Sequence, residues 1–212
     1  MKQAAPITIE NGRIVTTDGV REGSIAMENG VLSEGEMGAG QTVDARGKLI
    51  VPGLVDLGVF AVDKPAFHFG GITRAALMPD QSPPLDLPSR VSYISKSGKP
   101  DFWVHPLAAA TRGLAGQEIA EFALMREAGA KGIATGRQWI SDSGTMLRLL
   151  QYAAMLEMPV IAHAEDAALV GQAVATAGEY ATRRGLPSAP PQAEAIAIAR
   201  DLVLADMAGA HI

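Results

Sequence analysis

The residues of this chain best suited to chemistry are its four histidines, His68, His105, His163 and His211. His163 stands beside two carboxylates in Ala162-His163-Ala164-Glu165-Asp166, and His105 lies in Trp103-Val104-His105-Pro106. Imidazoles and carboxylates converging from separate elements are what a catalytic zinc requires, with roughly three protein ligands and one position open to water. Taken singly, each histidine reads as a hydrogen-bonded or packed side chain. Other chemistries are excluded by composition. The chain has no cysteine, hence no disulfide, thiolate zinc site or cysteine nucleophile. It has no Gly-x-Ser-x-Gly elbow and no glycine-rich phosphate loop. A net charge of −5 offers no basic footprint for nucleic acid or an anionic membrane.

These side chains need a scaffold. With 212 residues, 48% of them hydrophobic and 19% charged, the chain can bury a sizeable core. Residues 6–52 read as short strands punctuated by Asn11-Gly12, Asp18-Gly19 and Asn29-Gly30, a small antiparallel unit too thin to stand alone. Beyond residue 52 the rhythm changes. Apolar runs at 54–60, 73–78, 102–108, 132–135 and 160–163, with a last one beginning at 210, alternate with helix-length segments near 86–97, 116–128, 143–157, 166–184 and 191–207. Strands alternating with helices mean parallel βα units, and continuous runs such as Val160-Ile161-Ala162 fit strands buried on both faces. Ser141-Asp142-Ser143 supplies capping oxygens, Gly129 a helix stop, and Pro190-Pro191 a helix start. The N-terminus lacks the apolar run of a signal peptide, and no stretch approaches the roughly 20 apolar residues of a membrane span. A cytoplasmic location is expected.

Several segments together resemble a known family. Val43-Asp44-Ala45-Arg46-Gly47-Lys48-Leu49-Ile50-Val51-Pro52-Gly53-Leu54-Val55-Asp56 is similar to the passage from N-terminal β domain to first barrel strand in the amidohydrolase superfamily. Gly70-Gly71-Ile72-Thr73, Met78-Pro79-Asp80-Gln81-Ser82-Pro83, the segment around His163, Gly185-Leu186-Pro187 with Ala193-Glu194, and Ala208-Gly209-Ala210-His211-Ile212 resemble bacterial dihydroorotases in the same order. The resemblance implies a TIM-like (β/α) barrel over 53–212, joined to residues 1–52 as the N-terminal part of a composite β-sandwich. It also implies zinc at the barrel mouth, held by an HxH pair on the first strand, a carboxylate or carboxylated lysine on the fourth, and histidines on the fifth and sixth.

This sequence departs from that pattern. Gly58 and Phe60 occupy the HxH positions, and the substrate-binding arginine that normally follows is absent. Ala134, Thr135 and Gly136 stand where the fourth-strand ligand belongs; Lys131 comes three residues early, on the opposite face by alternation. Asp80 replaces an asparagine that touches substrate. His163 matches the fifth-strand ligand and is expected to be vestigial. His211 matches the first histidine of the sixth-strand motif, and His68 and His105 read as structural. The ten residues from Ala61 to Gly70, containing Pro65, leave little room for the usual first helix.

A TIM-like barrel needs eight strands and roughly 250 residues, so six strand starts read as an incomplete barrel, a fragment of a longer product or one whose edge partner chains cover. The resemblance implies a role in de novo pyrimidine synthesis. The missing ligands match members of the family that lack the metal site and act as structural partners of aspartate carbamoyltransferase. A homo- or hetero-oligomer without bound cofactor is expected. The alternative is an active zinc-dependent cyclic amidohydrolase with a rearranged site, or a barrel retained as a scaffold for another ligand.

Overall fold

In the computed structural model, residues 5–35, 40–97, 99 and 102–212 are described. Residues 1–4, part of the N-terminal stretch read above, lie outside them. The chain divides into two compact units, Met1–Gly53 and Leu54–Ile212.

The first unit is one five-stranded sheet. Strand β1 (Ile7–Thr16) pairs antiparallel with β2 (Gly19–Glu28), which pairs antiparallel with β3 (Val31–Glu34). Strands β4 (Gln41–Asp44) and β5 (Leu49–Ile50) both join β1 in parallel, so the unit is mixed rather than purely antiparallel. Asp18-Gly19 and Asn29-Gly30 make the expected reversals, with positive φ at Gly19, Asn29 and Gly30. Asn11-Gly12 does not. It is an irregularity within the continuous β1, where the register with β2 shifts between Ile9 and Gly12. Asn11 takes φ 58° there and donates to Asp44 Oδ1 at 3.1 Å, and a Cβ on Gly12 would stand 2.4 Å from the Ile50 side chain. The pair is therefore a bulge that admits Ile50, not a hairpin turn.

The second unit is a curled, all-parallel sheet in the order β10-β9-β8-β7-β6. Its strands are β6 (Leu54–Val59), β7 (Ile72–Leu77), β8 (Trp103–Ala109), β9 (Gly132–Ala134) and β10 (Val160–Ile161). Spatial order follows chain order without reversal. That is the winding of a (β/α) barrel; a doubly wound sheet would reverse at a switch point. Val160 N donates to His211 O at 2.9 Å, so the chain begins a sixth strand beside β10.

Helices cover one face. They are α1 (Lys64–Gly70), α2 (Pro88–Lys96), α3 (Phe122–Glu127), α4 (Ser143–Met155), α5 (Ala167–Val170), α6 (Glu179–Arg184) and α7 (Gln192–Ala208). Val91, Phe122, Met125, Leu149, Leu150 and Leu204 from these helices pack on Ala75, Leu77, Val104, Ala108 and Ile133 of the strands. The alternate strand residues, Ala76, Met78, Leu107 and Ala134, form a smaller cluster on the luminal face.

Three expectations about helices need correction. The first helix does exist: Pro65 sits in its first turn, where no amide hydrogen is needed, and the Asp63 carboxylate accepts from Ala66 N at 3.1 Å. The segment 116–128 is helical only from Phe122, because Gly113, Leu114 and Gly116 take left-handed φ and an isolated bridge joins Thr111 to Ile119. The segment 166–184 is interrupted by Gly171 at φ 56° and by β11 (Ala175–Thr176), which pairs with β12 (Ser188–Ala189). Helix α7 packs through its alanines: Ala193, Ala197 and Ala205 are buried while Ile196, Val203 and Met207 are exposed. Among the described residues no helix is long and apolar enough to cross a membrane.

Candidate functional site

The strands of the second unit end at a common mouth, the place where (β/α) barrels carry their chemistry. On β6, Val59 packs into the helix-side core, so its neighbours Gly58 and Phe60 belong to the luminal face. Gln81, just beyond β7, ties the first two strand ends together: its amide donates to the carbonyls of Phe60 at 3.1 Å and Met78 at 3.0 Å.

The end of β9 is closed by its own residues. Ala134 is fully buried. Thr135 is also buried, and its hydroxyl accepts from His163 N at 2.9 Å, bridging β9 to the segment after β10. Gly136 has φ 73°, and a Cβ on it would stand 2.9 Å from Asp80 Oδ1. That same Oδ1 accepts from Arg137 N at 3.0 Å, while Asp80 Oδ2 is buried without a hydrogen-bond partner among the described residues. The Arg137 guanidinium carbon lies 4.0 Å from the centre of the Phe60 ring, a cation–π contact linking the first and fourth strand ends.

The histidines do not gather here. His163 alone follows a strand end at the mouth. His68 is exposed on α1, edge-on to Phe102 with ring centres 6.4 Å apart. His105 lies near the start of β8, opposite Ala76, at the other end of the strand from the mouth. Its imidazole pKa is held below the usual value, first by burial and then by Arg74, Lys131 and Lys99. His211 is exposed, and its carbonyl receives Val160 N at the start of β10. Lys131 also lies at that end, with its amide on Pro106 O at 3.0 Å. Glu165 is exposed, and Asp166 caps α5 by accepting from Ala168 N at 2.9 Å.

Two features of this region carry no signal in the sequence. Arg137 was not singled out, because its partner Phe60 comes from a distant strand. Nor was the latch on the β9–α4 loop, where buried Asp201 of α7 accepts from Trp139 Nε1 at 3.3 Å and from Arg200 Nε at 2.9 Å. Arg200 also donates to the carbonyls of Ile140 and Ser141 and lies 4.0 Å over the Trp139 ring.

The pattern of the dihydro-orotase-like family matches residues 47–212. The chain belongs to that family. The dihydroorotase of Pelotomaculum thermopropionicum is 38% identical across 81% of this chain and 43% of the relative. That of Trichlorobacter lovleyi is 33% identical across 97% of this chain and 53% of the relative. Among solved structures, the L-hydantoinase (dihydropyrimidinase) of Arthrobacter aurescens superposes with a TM-score of 0.79 at 23% identity, covering 97% of this chain and 51% of that one. A D-hydantoinase from Thermus sp. gives 0.71 at the same identity, with coverages of 96% and 50%. These likenesses establish the barrel fold. The chain spans about half the length of the relatives it matches.

The zinc that the family resemblance implies does not fit this dihydroorotase-like mouth. Gly58 and Phe60 offer no donor atom, Ala134 offers none, and the Thr135 hydroxyl is engaged by His163 N. A ligating side chain at Gly136 would meet the Asp80 carboxylate from a strained left-handed backbone. Among the described residues, no group of three His, Cys, Asp or Glu side chains could hold a metal ion. His163 by itself falls short of the roughly three protein ligands a catalytic zinc takes.

Proposed function

We propose that this chain is a non-catalytic, dihydroorotase-like component of de novo pyrimidine synthesis that acts structurally, in support of aspartate carbamoyltransferase. One observation carries the reading. Where the family pattern asks for metal ligands on the first and fourth strands, Phe60 and the Arg137 guanidinium stack at 4.0 Å. A guanidinium cannot polarise a cyclic amide and generate hydroxide as a zinc ion does. The surrounding bonds, Gln81 to Phe60 O, Arg137 N to Asp80 and His163 N to Thr135, support the same reading, since they knit the strand ends into a scaffold.

The role is tested by two assays on the full gene product. Dihydroorotate hydrolysis is measured with zinc added, and association with aspartate carbamoyltransferase is measured at micromolar concentration. The reading expects no hydrolysis above the uncatalysed rate and a stable complex. Hydrolysis that is abolished in His163→Ala would overturn the non-catalytic part, and failure to associate would overturn the structural part.

A further inference from the structure

The N-terminal ends of β7, β8 and β9 carry an accumulation of positive charge that nothing in the mouth requires. Arg74 on β7 is paired with Trp103 on β8, Ala76 with His105, and Lys131 N is bonded to Pro106 O. The Arg74 guanidinium carbon lies 5.5 Å from the Trp103 ring centre and Lys99 Nζ lies 4.4 Å from it. Arg74, Lys99 and Lys131 all act on His105 and favour its neutral form. Among the described residues, no ion pair joins Arg74, Lys99 or Lys131 to a carboxylate, although carboxylates outnumber lysines and arginines by 23 to 18. Like charges held together cost free energy that an opposite charge would relieve.

The surface around these groups indicates which kind of anion fits. Trp103 is 43% exposed. By alternation Trp103 and His105 share the luminal face with Leu107, as Arg74 does with Ala76. The cations come from three strands and one loop. They flank an indole and an apolar wall and do not converge on one point, as a site for a single phosphate would. We propose that this face docks an acidic polypeptide segment, whose carboxylates reach Arg74, Lys99 and Lys131 while its apolar side chains lie on Trp103 and the luminal wall. Charge complementarity of this kind fixes partner choice and speeds encounter.

The test uses the whole chain and a fluorescein-labelled oligoglutamate peptide, followed by anisotropy at low salt. Binding is expected, and Arg74→Ala/Lys99→Ala is expected to weaken it by about tenfold or more, as is raising the salt until the Debye length falls well below 10 Å. Lys96→Ala, an exposed lysine at the end of α2, is expected to bind as the parent does. The double variant is expected to melt no lower than the parent, since it removes like charge, so weakened binding would not reflect unfolding. Absence of binding, or equal binding by the double variant, would overturn the proposal. Displacement of the peptide by inorganic phosphate at an equal concentration of charge would also overturn it, and would assign the face to small anions.

Discussion

Gly136 shows how one residue can decide what a strand end is able to do. Its φ of 73° and the 2.9 Å separation between a hypothetical Cβ and Asp80 Oδ1 leave no space for a side chain of any kind. Gly136→Ala is therefore expected to destabilise the fold by about 1–3 kcal/mol, read as a lowered urea midpoint with unchanged slope. His105 makes the second prediction at this scale. Burial, then Arg74, Lys131 and Lys99, lower its pKa in the folded chain, whereas the unfolded chain protonates near the ordinary value of about 6.5. The folded state thus binds fewer protons. Its contribution to stability is complete above about pH 6.5 and is lost as pH falls from there through the folded-state pKa. An NMR titration should place the His105 midpoint below 6.5, and Arg74→Ala should move it upward. Much of the residue-level picture was legible in the sequence. Gly58 and Phe60 could be placed at ligand positions because Pro52-Gly53-Leu54-Val55-Asp56 fixes the count. Arg137 was not legible, because cation–π partners from separate strands leave no local pattern.

Among the elements, α7 depends most on contacts that periodicity does not reveal. Its buried face is mainly alanine, and its one buried charge, Asp201, is 3% exposed and bonded to Arg200 and Trp139. Removing that carboxylate would strand the largely buried Arg200 guanidinium, and losing one partner of a buried pair costs roughly 3–5 kcal/mol. Asp201→Ala is expected to lower stability by an amount near the bottom of that range, because Arg200 keeps the carbonyls of Ile140 and Ser141. The double variant Arg200→Ala/Asp201→Ala should be less than additive, which equilibrium urea denaturation of all three variants would measure. The strands were readable because apolar runs such as Val160-Ile161 are bounded by turn residues. The segment 116–128 was misread as one helix because its apolar spacing persists through Gly116, whose left-handed backbone helical periodicity does not register. Asn11-Gly12 was misread for the opposite reason. A strong turn signal was overruled by Ile50, which needs the space a glycine leaves.

For the molecule as a whole, periodicity alone left open whether the sheet was a barrel or an open Rossmann-like layer. The strand order β6 to β10 without reversal resolves that question in favour of the barrel, and the family match over residues 47–212 agrees. The fold and the chemistry then part company. The helix-side core, the luminal cluster and the sequential winding keep the family's architecture, while the ends of the first and fourth strands carry a Phe60–Arg137 stack and a glycine backed by Asp80. A fold does not fix a function, and here the residues at the mouth decide. The most direct test is the zinc content per chain, by elemental analysis, of the full gene product after incubation with zinc and removal of the excess. The account predicts less than about a tenth of an equivalent, because no set of three ligands converges at the mouth. One equivalent or more, lost in His163→Ala, would contradict it and would mean that His163 has metal-binding partners at the mouth after all.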